Sequence, residues 1–341
     1  MKPLIFRRTD LLLGKELPSK KWERIFWKLF SGKLNPVEMK TLLLLSAKNG
    51  KSVNELTSCL KIIRQLEPPK QVDLPFLMDV CGTGGDGLKT FNISTISALV
   101  IAGAGGYVAK HGNRAVSSQA GSSDLIEALG IRFDIPFTKM LAAVKKFHFG
   151  YFHAPLYHPC FSHVQAVRHE LGIRTFFNAL GPLVNPLEVA YQVIGVSHAG
   201  WFDLLGQTLR TLKRKKAAIV RSEGGMDELS TQEWNDILYL EGQKMVRLRF
   251  NPKKFGFIKA RKEIFQGGDV RLNRQIALGI LNGKIRDARL DVVVLNSGFA
   301  LHLLGIVRSI ADGIEKSKRS IRTGRALAVL EAVKEFTNRR N

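Results

Sequence analysis

The stretch GTGGDGLKTFNISTISALVIAGAGGYVAKHGNRAVSSQAGSSD, residues 82–124, contains two glycine-rich turns separated by one helix length. The apolar residues before Gly82 predict a short buried strand over 76–81, and the run 93–102 predicts a buried helix. The first turn therefore lies at a strand-to-helix junction. There, glycines let backbone N–H groups approach an anion, and the helix N-terminus adds partial positive charge. This arrangement predicts a phosphate site.

The second half of the stretch repeats the same order of elements. A strand over 106–109 leads into the turn KHGNR, and Ser122-Ser123-Asp124 then caps a helix that runs through Leu129. Two such turns can face one ligand, so the phosphate hypothesis is stronger for the pair than for either turn alone.

Outside this stretch, the chain divides into a helical part and an alternating part. Helical periodicity runs from Lys20 to Leu66 and stops at Pro68-Pro69. Beyond the prolines, candidate strands alternate with helices, and they cover 76–81, 106–109, 150–154, 192–196, 217–221 and 236–240. The pattern predicts an α/β fold: a mostly parallel sheet flanked by helices, plus a small all-helical N-terminal domain.

The 341 residues carry a formal net charge of +23, most of it outside the motif-bearing middle of the chain. Such a balance fits nucleic acid or anionic surfaces, and it equally fits a general bias toward basic proteins. Three cysteines without a C-x-x-C pair indicate reduced thiols rather than a disulfide framework or a zinc site. No secretory signal or membrane-spanning stretch is readable, so we expect a cytoplasmic protein without membrane contact.

The blocks GTGGDG, TFNIST, KHGNR and GSSD, in this order, resemble the anthranilate phosphoribosyltransferases, of the nucleoside phosphorylase-like class of phosphoribosyltransferases. The likeness continues through 154–186, 224–230, 267–273 and 295–301, and residues 17–64 resemble the helical dimerisation segment of that family. It implies a homodimer with two domains. The helical domain would comprise 1–70, with 164–190 returning to it, and the catalytic α/β domain would comprise 71–163 and 191–341.

The resemblance also implies an activity: transfer of the 5-phosphoribosyl group from 5-phosphoribosyl 1-pyrophosphate (PRPP) to the amine of anthranilate, with release of pyrophosphate, in tryptophan biosynthesis. This is a pentosyl transfer by a glycosyltransferase that uses Mg²⁺. The amine is already neutral at pH 7, so no strong general base is required. No catalytic residue is therefore assigned; His111 matches a position beside the phosphate-binding residues, for which the resemblance gives no agreed chemical role.

Residue by residue, the resemblance assigns two substrate sites. Those for PRPP are Gly82, Thr83, Gly84, Gly85, Asp86, Thr90, Asn92, Ser94, Thr95, Lys110, Ser118 and Ser122, and those for anthranilate are Gly82, Asn113, His158, Arg168 and Gly181. Lysine suits phosphate as a point charge, and an arginine fork suits a benzoate carboxylate. His158 could instead be a satisfied loop residue, and Arg168 could be paired with Glu170 or Asp134.

A magnesium site is implied at Asp227 and Glu228, with Ser94 as a third ligand. Magnesium keeps water and phosphate oxygens as most of its ligands, so a sparse carboxylate pair suffices. We expect both carboxylates to face solvent in the empty cleft. On its own, an adjacent Asp-Glu pair is more often a solvated surface pair.

Two alternatives remain open. One is a paralogue of the same fold that binds nucleic acid on its basic surface. The other is a phosphoribosyltransferase for a different aromatic amine, because Cys160, Phe161 and Ser162 depart from the family pattern beside His158. A pyrimidine nucleoside phosphorylase is disfavoured by GTGGDG followed by TFNIST.

Overall fold

The computed structural model describes residues 15–48, 52–85, 87–115, 119–173 and 175–339; Asp86 and Ser118 lie outside the described residues. A single seven-stranded sheet is formed there, in the order β3-β2-β1-β4-β5-β6-β7. Strands β1 to β5 are parallel, and β6 and β7 are antiparallel. The strands are β1 (Leu77–Gly82), β2 (Tyr107–Gly112), β3 (Phe149–His153), β4 (Tyr191–Gly195), β5 (Lys216–Ser222), β6 (Asn235–Glu241) and β7 (Lys244–Phe250).

Helices cover both faces of this sheet. The α-helices are α1 (Ser19–Phe30), α2 (Pro36–Lys48), α3 (Val53–Leu66), α4 (Ile93–Gly103), α5 (Ser122–Ala128), α6 (Phe137–Phe147), α7 (Ala154–Tyr157), α8 (Ser162–Leu171), α9 (Phe177–Leu180), α10 (Phe202–Thr211), α11 (Val270–Leu281), α12 (Ala288–Leu304), α13 (Ile310–Arg322) and α14 (Arg325–Asn338). Short 3₁₀ turns occur at Pro159–Phe161, Gly181–Leu183, Ala199–Trp201, Pro252–Phe255 and Lys262–Phe265.

Two hydrophobic cores result, one on each face of the sheet. The first joins α4, α11, α12 and α14 to the strands, and α4 is buried along nearly its whole length. The second core packs helices α1, α2, α3, α8, α9 and α10 against the other face of β4, β5 and β6. A parallel sheet covered on both faces is the arrangement that α/β alternation in sequence produces. The expected fold class is confirmed.

The six expected strands are all present, with bounds that differ by one to three residues at either end. Strand β7 was not predicted. It lies at the edge of the sheet, and most of its side chains are exposed, so it lacks the apolar signal of a buried strand. Within the described residues, no helix is long and apolar enough to cross a membrane.

The segment after β3 returns to the helices that precede the sheet. The ring of Phe176 lies 5.3 Å from that of Phe26, and the ring of Phe161 lies 5.5 Å from that of Phe30. Where the chain crosses back, Lys70 bridges to Leu187. These contacts agree with a discontinuous helical domain, whose bounds stay a prediction.

Candidate active site

The candidate site lies at the carboxyl ends of the parallel strands, where the strand order reverses. From β1 the chain proceeds to β2 and β3 on one side, and then crosses back to β4 and β5 on the other. Ligands of open α/β sheets bind in the crevice at such a switch point. The glycine loop after β1 therefore begins at this crevice, with Gly82 paired in register to Gly195 of β4.

The first loop owes its shape to glycine. Gly84, Gly85 and Gly87 have φ values of 69°, 71° and 73°, which side-chain-bearing residues adopt at a cost. Two hydrogen bonds hold the loop to the strand ends: Thr83 N–H donates to the carbonyl of Gly195 at 2.9 Å, and Gly84 N–H donates to Oδ2 of Asp227 at 2.9 Å. Gly82, Thr83, Gly84 and Gly85 thus form a turn that is held against β4 and Asp227, and its use as a phosphate cradle stays a prediction.

Asp227 sits against this loop rather than in open solvent. Its side chain is 8% exposed, so the expectation that both acidic residues face solvent is wrong for Asp227. A Cβ on Gly82 would stand 2.3 Å from its Oδ2, and a Cβ on Gly195 would stand 1.4 Å from its carbonyl oxygen. Both glycines are therefore required for the 227 segment to approach the sheet. Glu228 is half-buried.

The second turn is organised by side chains. Asp124 accepts hydrogen bonds from the N–H groups of Ala115 and Gly121 at 3.0 and 2.8 Å. It also forms an ion pair with Arg114 at 2.8 Å. Burial raises the pKa of Asp124, but these bonds outweigh it and leave the pKa below its usual value. Ser122 Oγ donates to the exposed Asn113 at its carbonyl, 3.3 Å away, or to a neighbouring tyrosine hydroxyl. The turn thus brings Asn113 and Ser122 together at the carboxyl end of β2.

Lys110 points into the protein interior. Its Nζ donates to the carbonyl of Val80 at 2.8 Å and to Oγ of Ser94 at 3.4 Å, and its side chain is buried. Asp79, also fully buried, accepts from the N–H of His111 at 3.2 Å and from Nδ2 of Asn185 at 3.0 Å. Burial raises the pKa of Asp79, against the opposing charge of Lys110. A phosphate that contacts Lys110 would have to approach it from the side on which Ser94 lies.

His111 is buried at the end of β2 with its ring nitrogens unequally placed. Nδ1 lies 3.1 Å from the carbonyl of Gly181 and must donate, because a carbonyl can only accept. Nε2 has no hydrogen-bond partner among the described residues. Burial and the nearby His158 lower the pKa of His111 to about 3. The ring is therefore neutral, with a lone pair on Nε2.

His158 has both ring nitrogens engaged. Nδ1 lies 2.8 Å from Oε2 of Glu67, and Nε2 lies 2.6 Å from the carbonyl of Val184. Burial raises the pKa of Glu67, but hydrogen bonds from His158 and from Cys160 N–H outweigh it and bring the pKa below its usual value. The ring of His158 contacts that of His111 edge-on, at 5.3 Å. His158 thus ties the linker after α3 to the returning segment, and its buried ring also packs against Phe161 at 5.4 Å.

Arg168 lies on α8 with its guanidinium carbon 4.6 Å from the centre of the Phe177 ring. Neither acidic residue considered for it is a partner, because Glu170 pairs with Lys40 at 2.5 Å and Asp134 pairs with Arg132 at 3.0 Å. Burial lowers the pKa of Arg168. Within the described residues no carboxylate forms an ion pair with this half-buried cation, which leaves its fork available to an acidic ligand.

The remaining expected residues differ in exposure. Gly181 is exposed, and a Cβ built on it would meet nothing within 4 Å. Thr90 borders a pocket next to the first loop, which is also lined by Ser222, Met226 and Phe265. Thr95 is fully buried in α4, so its side chain is part of the core rather than of the cradle.

Several residues of the site were not predicted. Ser197 donates to the carbonyl of Gly84 at 3.3 Å, and Gly195, Asp79 and Glu67 hold the surrounding segments as described above. Asp79 had a readable signal, since it is an acidic residue inside an apolar strand. Glu67 and Ser197 had none, because only the fold brings them to the crevice.

Comparison with known proteins places this architecture in a class. The model of the glycosyl transferase family, a/b domain, matches residues 74–327, which include all seven strands of the sheet. The chain therefore belongs to this glycosyl transferase family.

Full-length relatives narrow the class further. Anthranilate phosphoribosyltransferases of Persephonella marina and Acetivibrio thermocellus are 39% and 36% identical, covering 95% and 97% of this chain and 96% and 95% of their own lengths. The solved enzyme from Thermus thermophilus matches with a TM-score of 0.89 at 33% identity, over 97% of this chain and 98% of that chain. The enzyme from Saccharomyces cerevisiae in complex with PRPP and Mg matches with 0.88 at 25%, over 96% of both chains.

The chain belongs to the anthranilate phosphoribosyltransferase family and is a phosphoribosyl-transferring enzyme. The expected family, enzyme class and transfer activity are confirmed. The residue assignments, the metal, the oligomeric state and the cellular location are finer matters and stay proposals.

Proposed function

We propose that this crevice transfers the 5-phosphoribosyl group of PRPP to the amine of anthranilate and releases pyrophosphate, as a step of tryptophan biosynthesis. One observation carries the proposal: the glycine loop at the β1/β4 switch point lies against the Asp227 segment. Anion-binding backbone and a carboxylate that suits a metal are thereby adjacent. The yeast relative with PRPP and Mg supports the same donor and metal here.

On the donor side, the loop from Gly82 to Gly85 would lie against the pyrophosphate, and Ser94 and Ser122 would add hydroxyl donors; the N–H groups of Thr83 and Gly84 hold the loop to Gly195 and Asp227. Asp86, Thr90, Asn92, Lys110 and Ser118 are the other residues expected here, and Thr95 is left out because its side chain is buried in the core. Such preorganised donors stabilise the charge that develops on the leaving group as the ribose acquires oxocarbenium character. Water is displaced from the phosphates by groups that need no reorganisation during the reaction.

The residues at 227 and 228 suit Mg²⁺. Two adjacent carboxylates supply hard oxygen ligands, and the described residues contain no group of three or more His, Cys, Asp or Glu that would favour a dedicated metal cage. Ser94 is the expected third ligand, and its hydroxyl lies 3.4 Å from Nζ of Lys110. When bound, magnesium neutralises charge on the departing pyrophosphate.

On the acceptor side, the carboxylate of anthranilate would pair with Arg168, and the open space in front of Gly181 would hold the ring. His111 would contribute through Nε2, whose lone pair can accept a hydrogen bond from the amine. With a pKa of about 3 it is a weak base. A weak base suffices, because the attacking nitrogen becomes strongly acidic once the C–N bond forms. Asn113 and His158 complete the expected set.

We further propose that the enzyme is a homodimer formed through its N-terminal helices, and that it works in the cytoplasm. Three large apolar side chains of α1 and α2 are exposed: Trp27 at 43%, Val37 at 73% and Leu44 at 47%. Exposed apolar residues on neighbouring helices are typical of surfaces that bind another chain.

The nucleic-acid alternative finds little support in the basic flanks. Several of their cations are paired, including Arg247 with Asp203 and Lys262 with Glu233. The other alternative is a phosphoribosyltransferase for a different aromatic amine. The assay below tests it directly.

The direct test is the loss of anthranilate fluorescence when the purified protein is mixed with Mg²⁺ and PRPP, with each component omitted in turn. We expect loss only when all are present. If the folded protein binds PRPP but leaves the fluorescence unchanged, the acceptor assignment is wrong. Other aromatic amines would then be tested by pyrophosphate release.

A further inference from the structure

A chain of three hydrogen bonds runs behind the second turn and involves residues that the donor site does not use. Ser122 Oγ lies 2.8 Å from Oη of Tyr151, and Tyr151 Oη lies 2.7 Å from Oγ of Ser123. Ser123 Oγ in turn lies 2.8 Å from Nδ1 of His153. Tyr151 and Ser123 are fully buried. Gly112 leaves room for the chain, since a Cβ there would stand 2.2 Å from Ser122 Oγ and 2.5 Å from Tyr151 Oη.

Proton counting allows two consistent orders along this chain. Each hydroxyl has one proton, and each of the three contacts requires one proton between its two atoms. If Nδ1 of His153 carries no proton, Ser123 must donate to it, Tyr151 to Ser123, and Ser122 to Tyr151. If Nδ1 carries a proton, every donor reverses, and Tyr151 donates to Ser122.

The two orders differ at the end of the chain that faces the crevice. In the first order, the proton of Ser122 is used inward, and its oxygen presents lone pairs to a ligand. In the second order, Ser122 accepts from Tyr151, and its proton can go either to the carbonyl of Asn113, 3.3 Å away, or to a ligand in its place. A phosphate oxygen can only accept, so it requires the second order.

We propose that Tyr151, Ser123 and His153 position the hydroxyl of Ser122 as a donor to the phosphates of PRPP, and that an anion at Ser122 and a proton on His153 Nδ1 favour each other. The inference rests on the proposed role of Ser122 in donor binding. The three residues act through Ser122 and are positioning residues.

The groups around His153 act on its protonation. Charged and titratable groups face it from several elements: Arg114 after β2, Asp124 and Glu127 on α5, and His111 on β2. The Phe133 ring packs on it at 4.8 Å. Burial lowers the pKa of His153 and Arg114 adds to this, while Asp124 and Glu127 oppose it. The imidazole is therefore mostly neutral at pH 7, with its single proton on Nδ1 or on Nε2, so the neutral ring is compatible with both orders and only the protonated ring enforces the second. Since linkage is reciprocal, a proton on His153 strengthens donor binding, and the bound donor raises the pKa of His153.

The first test is spectroscopic and uses the full chain with ¹⁵N-labelled histidine. The chain has eight histidines, and the signals of His153 are identified by their absence in His153→Phe. On addition of PRPP with Mg²⁺, we expect the His153 Nδ1 resonance to move toward the protonated range. A resonance that stays in place, while enzyme activity shows that PRPP binds, would overturn the proposal.

The second test compares the pH dependence of the KM for PRPP between pH 5.5 and 8. For the wild type we expect the KM for PRPP to decrease by an additional factor of about 3 to 10 toward low pH. This factor corresponds to the free energy of one hydrogen bond. Ser123→Ala interrupts the chain but keeps Ser122 and Tyr151. The additional pH dependence of the KM for PRPP should therefore disappear in this variant. In His153→Phe, Ser123 can donate only to Tyr151, so the KM should stay low at all pH values. Identical profiles in all three proteins would refute the proposal.

Ser122→Ala separates the two levels of the argument. We expect it to raise the KM for PRPP about 10-fold. If it does not, the donor-binding role of Ser122 fails. If Ser122→Ala has this effect but Ser123→Ala and His153→Phe match the wild type at every pH, only the positioning chain fails. Thermal unfolding of each variant shows whether it is folded, and Tyr151→Phe, which removes the central hydroxyl, provides a second way to interrupt the chain.

Discussion

The proposed donor side and the proposed acceptor side of the crevice are built in different ways. The donor side consists of backbone at the ends of β1 and β4, and it requires the absence of side chains at Gly82 and Gly195. The acceptor side consists of particular side chains, such as Arg168 and His111, that come from separate segments. A phosphate site can thus be specified by the positions at which a chain lacks Cβ atoms. A site for an aromatic acceptor requires individual side chains that are held in place by their neighbours.

The largest expected effect would break the donor side. In Gly195→Ala, the new Cβ would overlap the carbonyl oxygen of Asp227, 1.4 Å away, so the 227 segment must move. We expect a loss of at least about 3 kcal/mol in the free energy of unfolding, together with loss of activity. On the acceptor side, Gly181→Ala meets open space, and its stability should stay within about 0.5 kcal/mol of the wild type. Urea unfolding of both variants measures the difference, and equal effects would contradict it.

The next effect concerns charge on the donor side. Asp227→Asn combined with Glu228→Gln should lower turnover by about 100-fold or more and remove the dependence on magnesium. Because an asparagine oxygen can still accept from Gly84 N–H, the melting temperature should change little. Steady-state kinetics across a magnesium titration, with thermal unfolding alongside, makes the measurement. A large drop in melting temperature with magnesium dependence intact would show that the pair is structural.

A third variant isolates the acceptor side. Arg168→Ala should raise the KM for anthranilate by roughly 10- to 100-fold, the worth of charge-assisted hydrogen bonds, and should leave the KM for PRPP nearly unchanged. Arg168→Lys is the matched control, since it keeps the charge and loses the fork, and should recover only part of the loss. Equal changes in both KM values would remove Arg168 from the acceptor site.

The smallest effect is a pH dependence at the boundary between the two sides. With a folded-state pKa of about 3 for His111 and an ordinary value near 6.5, the unfolded chain binds a proton that the folded chain refuses. Stability from this residue is therefore present above pH 6.5 and is lost as the pH falls toward 3, by about 2 kcal/mol at pH 5. His111→Asn can retain a donor to Gly181 and does not titrate. Relative to the wild type it should gain about 2 kcal/mol between pH 8 and pH 5, measured by denaturant unfolding at both values.

The order of strand, glycine turn and helix on the donor side could be predicted from sequence because its determinants are local. Glycine spacing, a preceding apolar strand and a following helix all lie within a few residues of Gly82, and Gly84, Gly85 and Gly87 have positive φ values. The burial of Asp227 could not be predicted, because it depends on the approach of the 227 segment to β1 and β4. The inward direction of Lys110 likewise depends on Asp79, whose burial only the sheet order determines.

The acceptor side was accessible only through resemblance. Nothing in the spacing of His158 indicates that Glu67 and Val184 occupy both ring nitrogens, because these partners are far apart in sequence. Strand β7 escaped prediction for a different reason: an exposed edge strand lacks the apolar signal on which strand prediction rests. The bounds of the two domains remain a prediction.

The order of the strands has a consequence for how the protein is made. Strand β1 lies between β2 and β4, and its buried Asp79 accepts from Asn185, which precedes β4. As the chain leaves the ribosome, β1 and β2 are therefore completed while one edge of β1 is open and a buried carboxylate lacks its amide partner. The sheet can close only after residues 185–195 have been translated. During this interval the nascent chain therefore carries an unpaired strand edge, at which another strand can mispair.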